Sequence, residues 1–289
     1  MKKVLATVLA AASVFGVASM TACGGGDDDK TPALKVIDIE LSEEEYAFAI
    51  NKDNADLLAS ANAYLAEIKT NGTFDGIVNK WFGEGGDPTG YALGTYDESK
   101  DQLVVLTNTP FEPFEYVGDD GKYYGVDMEI AAGLATYLNK ELCIIEHLNF
   151  DTICEEVSKY DCGMVAAGLT VDADRAEIVN FTDSYYKASQ KLIVAGDDTT
   201  FDECETKEDV EAILQGFGKD VSIGYQNGTT GALYVNGDDD WGFTALNVTP
   251  SGYNTAALAA QALINKSINY VIVDSAPAAA IVKALNAIN

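Results

Sequence analysis

Hydrophobic and polar positions change period several times along the chain. Leu34-Lys35-Val36-Ile37-Asp38-Ile39 alternates in part, as a short half-buried strand does. Asp53 and Asn54 then offer N-caps to a run in which Leu57, Leu58, Ala61, Leu65 and Ile68 recur at helical spacing, stopped by Asn71-Gly72. Phe74, Ile77, Val78, Trp81 and Phe82 predict a second amphipathic helix ending at Gly83. Residues 84–99 are rich in turn formers and read as a linker. Beyond them strands are predicted at Leu103–Leu106, Cys143–Ile145, Gly163–Ala167, Leu192–Ala195, Val221–Tyr225 and Tyr270–Val273. Helices are predicted after Asp127 as cap, over Phe150–Ser158, after Gly228-Thr229-Thr230-Gly231, and over Thr255–Ile264 and Ala276–Leu285. This alternation predicts an α/β fold with parallel or mixed sheets covered by helices, in two blocks joined near 186–196. Ligands of such sheets bind beyond the carboxyl ends of the strands.

Composition narrows the function. With 289 residues, 47% hydrophobic and 22% charged, the chain has enough for one large or two medium domains with real cores. Eighteen basic against 46 acidic residues give a net charge of −28. Such a field repels phosphate backbones and excludes nucleic-acid binding. It also disfavours basic-patch docking on anionic lipid. His147 is the only histidine, which argues against a His-rich metal site, and no metal or cofactor is predicted. Cys143, Cys154, Cys162 and Cys204 form no CxxC pair; two disulfides and four scattered thiols both remain open.

The first residues read as an address. Lys2 and Lys3 precede an uncharged stretch, Val4 to Ala22, which has the shape of an export signal. Met20-Thr21-Ala22-Cys23 is similar to the bacterial lipobox, with Met20 where Leu is usual, and implies lipidation of Cys23. A plain secretory signal or a short membrane anchor is the alternative. Residues 23–33, with three Gly and three Asp in a row, read as a flexible tether.

Several predicted strand ends deliver polar groups. Thr107 and Asn108 lead to Phe111-Glu112-Pro113-Phe114-Glu115-Tyr116; Ala167-Gly168-Leu169-Thr170 leads to Arg175; Val273 is followed by Asp274 and Ser275. A guanidinium grips a carboxylate bidentately, a carboxylate holds an ammonium, and rings cover a side chain. Together they complement a zwitterion. Taken singly, Phe111 and Phe150 read as core, Arg175 as surface, and Asp274 as the cap of the last helix. Tyr185 and Tyr186 read as packing near the hinge, and Asp238-Asp239-Asp240 as a solvated turn. Gly228-Thr229-Thr230-Gly231 is like a phosphate-binding turn but lacks the P-loop lysine, so carboxylate is the better anion.

Residues 103–289 resemble the extracytoplasmic solute-binding proteins of polar amino-acid ABC transporters, of the bacterial family 3 type. The resemblance runs through the motifs just quoted, Gly125-Val126-Asp127, Val179-Asn180-Phe181-Thr182-Asp183-Ser184-Tyr185-Tyr186 and Val273-Asp274-Ser275-Ala276-Pro277. Leu34–Leu41, Glu44-Glu45-Tyr46-Ala47-Phe48-Ala49-Ile50, Asn71–Asp75 and Lys80-Trp81-Phe82-Gly83 resemble that family's C-terminal end, yet here they come first. The implied fold is α/β: two-lobed and periplasmic-binding-protein-like (type II), each lobe a mixed sheet flanked by helices, circularly permuted. Its parts would be a signal peptide (1–22), a tether (23–33), a strand of lobe 2 (34–42), lobe 1 (43–83 and 100–190), a linker joining the ancestral termini (84–99), and the rest of lobe 2 (191–289). The alternative is an unrelated N-terminal appendage.

The resemblance implies that Arg175 clamps a ligand α-carboxylate with help from Thr170 and groups near Thr230. Asp274 would bind the α-ammonium, Phe111 and Phe150 would sandwich the side chain, and Ala167 and Gly168 would offer backbone groups. Asn108 and Gln226 sit where the family tunes specificity, and their neutrality weighs against a strongly cationic ligand. The implied protein is a monomeric, non-catalytic binder of a free amino acid, anchored outside the membrane and delivering to a permease by hinge closure at about 41–45 and 186–196. A dehydratase-like enzyme on the same fold and a sensory ligand-binding module are the other classes. No nucleophile–base pair supports the first, and no signalling segment in the sequence supports the second.

Overall fold

Two five-stranded sheets organise the chain, and the N-terminal segment supplies a strand to each. The computed structural model describes residues 33–83 and 86–288, which belong to one compact unit. In chain order the strands are β1 (Leu34–Ile37), β2 (Glu44–Tyr46), β3 (Ala49–Asn51), β4 (Gln102–Thr107), β5 (Tyr116–Val117), β6 (Tyr123–Tyr124), β7 (Glu141–Glu146), β8 (Gly163–Val165), β9 (Val179–Phe181), β10 (Tyr186–Ala188), β11 (Gln190–Ala195), β12 (Ser222–Gln226), β13 (Thr249–Tyr253) and β14 (Tyr270–Asp274). The helices are α1 (Ala55–Thr70), α2 (Thr73–Phe82), α3 (Val126–Tyr137), α4 (Ile153–Val157), α5 (Ala173–Ile178), α6 (Lys207–Gln215), α7 (Thr230–Asn236), α8 (Ala256–Ile264) and α9 (Ser275–Ile288).

The first sheet has the order β7-β4-β8-β3-β9 and the second β1-β11-β14-β12-β13. β4 is buried at every position, which is why its apolar run is continuous rather than alternating. It runs parallel to β7 and β8, so these strands end on the same side. β12 and β14 are likewise parallel. α1, α2 and α3 pack together against the first sheet; Leu57, Ala61, Leu65, Ile68 and Ile77 bury the stripe the periodicity predicted. Between the sheets runs a ribbon of β2 and β10, and Leu41 N donates to Gln190 O beside it. β1 is fastened to α9: Asn286 accepts from Leu34 N and donates to Leu34 O, both at 2.9 Å. Part of the predicted linker also docks, with Tyr91 bridged to Tyr123 and Gly94 N donating to Ile144 O.

Several expectations need correction. Asp127 does not cap α3. The helix begins at Val126 after Gly125, and Asp127 lies buried in its first turn. The strand predicted to Ala167 ends at Val165, because the chain turns off the sheet toward Gly168, whose φ is 52°. α6, with its Thr206/Asp209 capping box, and the short strands β2, β3, β9, β10 and β13 had no predicted counterpart. All four described cysteines are free thiols. Asp238 accepts from Trp241 N within a turn, and no metal-binding cluster occurs among the described residues. The leader, Cys23 and the tether up to residue 32 lie outside the described residues. No helix among those described is long and apolar enough to cross a membrane.

Candidate functional site

The cleft lies where the carboxyl ends of the two sheets face each other. Asn108 and Phe111 follow β4; Ala167, Gly168 and Thr170 follow β8; Phe150 follows β7; Arg175 sits on α5. From the other side come Gln226 and Asp274, the last residues of β12 and β14, and Thr230, which opens α7. All ten predicted site residues line this one cleft, joined by Glu115 and Thr229. Its cavity volume is only about 10 Å³, so the two sides stand close together.

Direct bonds span that narrow gap. Arg175 Nη2 donates to Gly228 O at 2.7 Å, while Nη1 donates to Thr170 O at 2.7 Å. The guanidinium stands 5.4 Å from the Phe150 ring centre and makes no ion pair among the described residues. Its hydrogen bonds go to neutral carbonyls, so its charge remains for an anion. Gln226 Nε2 donates to Asn108 Oδ1 at 2.9 Å, and Asn108 Nδ2 to His147 O at 2.7 Å. Trp241 Nε1 donates to Asp172 Oδ2 at 2.8 Å.

Two glycines sit where a side chain would collide, Gly168 within the first side of the cleft and Gly228 where the second side meets the first. A Cβ on Gly168 would meet Phe111 Cε1 at 2.5 Å, and one on Gly228, at φ 75°, would meet Asp151 Cα at 2.5 Å. Gly168 N is held by Asp127 Oδ2 at 2.9 Å, and Asp127 Oδ1 accepts from Tyr185 O–H at 2.6 Å. Tyr185, read from sequence as packing, stacks on Phe48 at 4.5 Å and serves this bond as well.

Buried acids surround the cleft. Burial, and after it the Glu44 charge, pushes the Asp274 carboxyl up to about 7, partly offset by the hydrogen bond from Tyr46. Burial pushes Asp127 up to about 7, against the two bonds it accepts. Glu115 is fully buried, and neither carboxylate oxygen has a hydrogen-bond partner among the described residues. Burial, with Asp127, Glu146 and Asp274 adding to it, drives its carboxyl well above the ordinary range. Sequence reasoning quoted Glu115 within its motif without giving it a role, and it missed Tyr46 and Glu44, which from β2 hydrogen-bond the cleft residues Asp274 and Thr170. His147 lies outside the cleft lining; its Nε2 is 2.9 Å from Thr152 Oγ1.

Two facing α/β lobes with polar strand ends converging between them define a solute-binding architecture of the periplasmic-binding-protein type. Residues 103–285 match the bacterial extracellular solute-binding proteins, family 3, and the chain belongs to that family. A point mutant of arginine-bound ArgBP from T. maritima matches at a TM-score of 0.54 and 27% identity, over 65% of this chain and 79% of that one. An ancestral arginine-binding protein bound to glutamine matches at 0.52 and 25%, over 64% and 74%. Among curated proteins, the membrane-bound lytic murein transglycosylase F of Serratia proteamaculans (strain 568) is 29% identical over 100 residues, 35% of this chain. The match spans about a fifth (21%) of that relative's length.

Proposed function

We propose that the protein captures a free amino acid in this cleft and delivers it to an ABC-transporter permease without chemical change. The carrying observation is that one guanidinium without an acidic partner and one buried carboxylate, Arg175 and Asp274, face the same cleft from opposite sheets. Arg175 grips the α-carboxylate and Asp274 the α-ammonium, while Phe111 and Phe150 flank the side chain. Thr170, Thr230, Ala167 and Gly168 complete the grip. Entry requires the lobes to part, and contacts to both sides then draw them together.

Glu115 refines the ligand class. A buried acid without partners costs about 1–3 kcal/mol or more, which a donor group on the ligand recovers. The ligand therefore carries a donor-rich end, guanidinium or amide, despite the neutral Asn108 and Gln226. The arginine and glutamine held by the two structural relatives are of this kind.

Lipidation of Cys23 and anchoring outside the membrane are part of this proposal. So is the circular permutation, with lobes as bounded above. It is supported by the place of β1 at the edge of one sheet and of β3 inside the other, and by the family match beginning only at residue 103.

A thermal-shift screen of the twenty amino acids tests the reading. A ligand at a hundred times its Kd stabilises by about 2.7 kcal/mol; no shift with any of them would overturn it. One observation favours a second reading, an enzyme: Glu115 is a carboxyl kept protonated in a cleft, as a general acid is. Conversion of a bound amino acid, followed by NMR, would establish it.

A further inference from the structure

Tyr46 lies far from the cleft residues in sequence, yet it touches one of the two charged grips. Its O–H donates to Asp274 Oδ1 at 2.6 Å across 228 positions, and both side chains are buried. We propose that Tyr46 is a positioning residue of the binding site: its phenol holds the Asp274 carboxylate in the orientation that receives the ligand's ammonium group. This rests on the role given to Asp274 above.

The geometry makes the phenol a fixed donor. Tyr46 closes β2, which pairs with β10 in the ribbon between the sheets, whereas Asp274 closes β14 of the second sheet. The ring is wedged edge-on against Phe114 at 5.0 Å and tilted against Tyr186 at 5.6 Å, and it exposes nothing to solvent. A ring so enclosed has no other rotamer to visit, so its hydroxyl commits one oxygen of Asp274. Two residues earlier on the same strand, Glu44 accepts from Thr170 Oγ1 at 2.8 Å, so β2 also braces a cleft residue of the first lobe. Phe111, another cleft residue, lies 6.4 Å from the Tyr46 ring.

Charge makes the donor matter. Asp274 faces Glu44 from β2, Glu115 from the segment after β4, and Tyr186 from β10; none of these carries positive charge. Against the Glu44 charge, hydrogen bonds to the ionised form, one from Tyr46 and one from Gln190 on β11, keep the carboxylate available to an ammonium, and the Tyr46 bond is the larger of the two. Without the phenol, Asp274 ionises less readily, and binding recovers only at higher pH.

The test is calorimetric titration of L-arginine and L-glutamine into Tyr46→Phe and wild type across a pH series. Tyr46→Phe should bind about tenfold to a hundredfold more weakly near neutrality, the worth of a hydrogen bond to a charged group. Its affinity-versus-pH curve should be displaced to higher pH. Adding Tyr46→Phe to Asp274→Asn should change affinity little, since the two share one interaction. Unchanged affinity, an equal loss at every pH, or fully additive losses would overturn the proposal. Should Tyr46→Phe fail to fold by circular dichroism, phenolate absorbance in Asp274→Asn decides. One high-pH phenol should titrate earlier than in wild type, and an identical phenol titration would overturn the proposal. If wild type binds neither, the titrations use the amino acid that shifts it in the screen of twenty; if none does, the reading of the cleft fails first and this assignment falls with it.

Discussion

Burying Asp127 beneath the cleft should make the protein lose stability as pH rises toward neutrality. Its carboxyl is carried from an ordinary 3.8 to about 7, chiefly by burial. In that window the native state holds a proton that the unfolded chain has released, so unfolding releases protons and stability falls with rising pH. A displacement of this size costs the native state about 4 kcal/mol once the pH passes 7. Asp274, raised to a similar value, acts in the same direction. Surface acids held low by hydrogen bonds, such as Asp209 and Asp120, lose their stabilising effect only below the ordinary carboxylate range, outside this window. Asp127→Asn removes the proton but gives Tyr185 O–H and Gly168 N, both donors, one acceptor oxygen and one competing NH₂. The mismatch costs about 1–3 kcal/mol at acid pH. Urea unfolding from about pH 5 to about pH 8 should therefore give a wild-type stability that declines and a flatter variant curve that crosses it. Parallel curves, or wild-type stability that rises through the window, would refute the reasoning.

Arg175→Ala should raise the Kd for the amino acid by a hundredfold or more by calorimetry, because a desolvated carboxylate loses its charged partner; near-wild-type affinity would remove Arg175 from the site. Gly168→Ala should cost about 1–3 kcal/mol in urea unfolding and weaken binding, since the residue holds φ 52° and a Cβ would sit 2.5 Å from the Phe111 ring. Asn286→Ala strips both backbone partners from Leu34 and should cost about 1–3 kcal/mol. No change there would mean that β1 holds its place without α9.

The helices α1, α2 and α8 and the strands β4, β11 and β14 were readable because each carries a long periodic or continuous apolar run. Strands of two or three residues, such as β2, β3 and β9, are too short for any period to show. β13 hides its nature behind Pro250 and Gly252, tolerated because it is an edge strand beside β12. The ten predicted cleft-lining residues were legible through the family resemblance, and only some of them through motifs at strand ends. Glu115, Tyr46 and Glu44 were not. An acid's burial is a property of packing, and Tyr46 meets its partner from 228 residues away. Asp127 misled for a related reason. An acid beside a helix start reads as a cap, while only the fold shows Gly168 N and Tyr185 arriving to claim it.

The central claim is that the cleft recognises both charged ends of an amino acid at once, Arg175 on the carboxylate and Asp274 on the ammonium. Calorimetric titration of L-arginine against agmatine, the same molecule without its carboxylate, tests it most directly. The account predicts binding of L-arginine and at least a hundredfold weaker binding of agmatine, the loss expected when a buried guanidinium is left without its anion. Equal affinity for the two would contradict it.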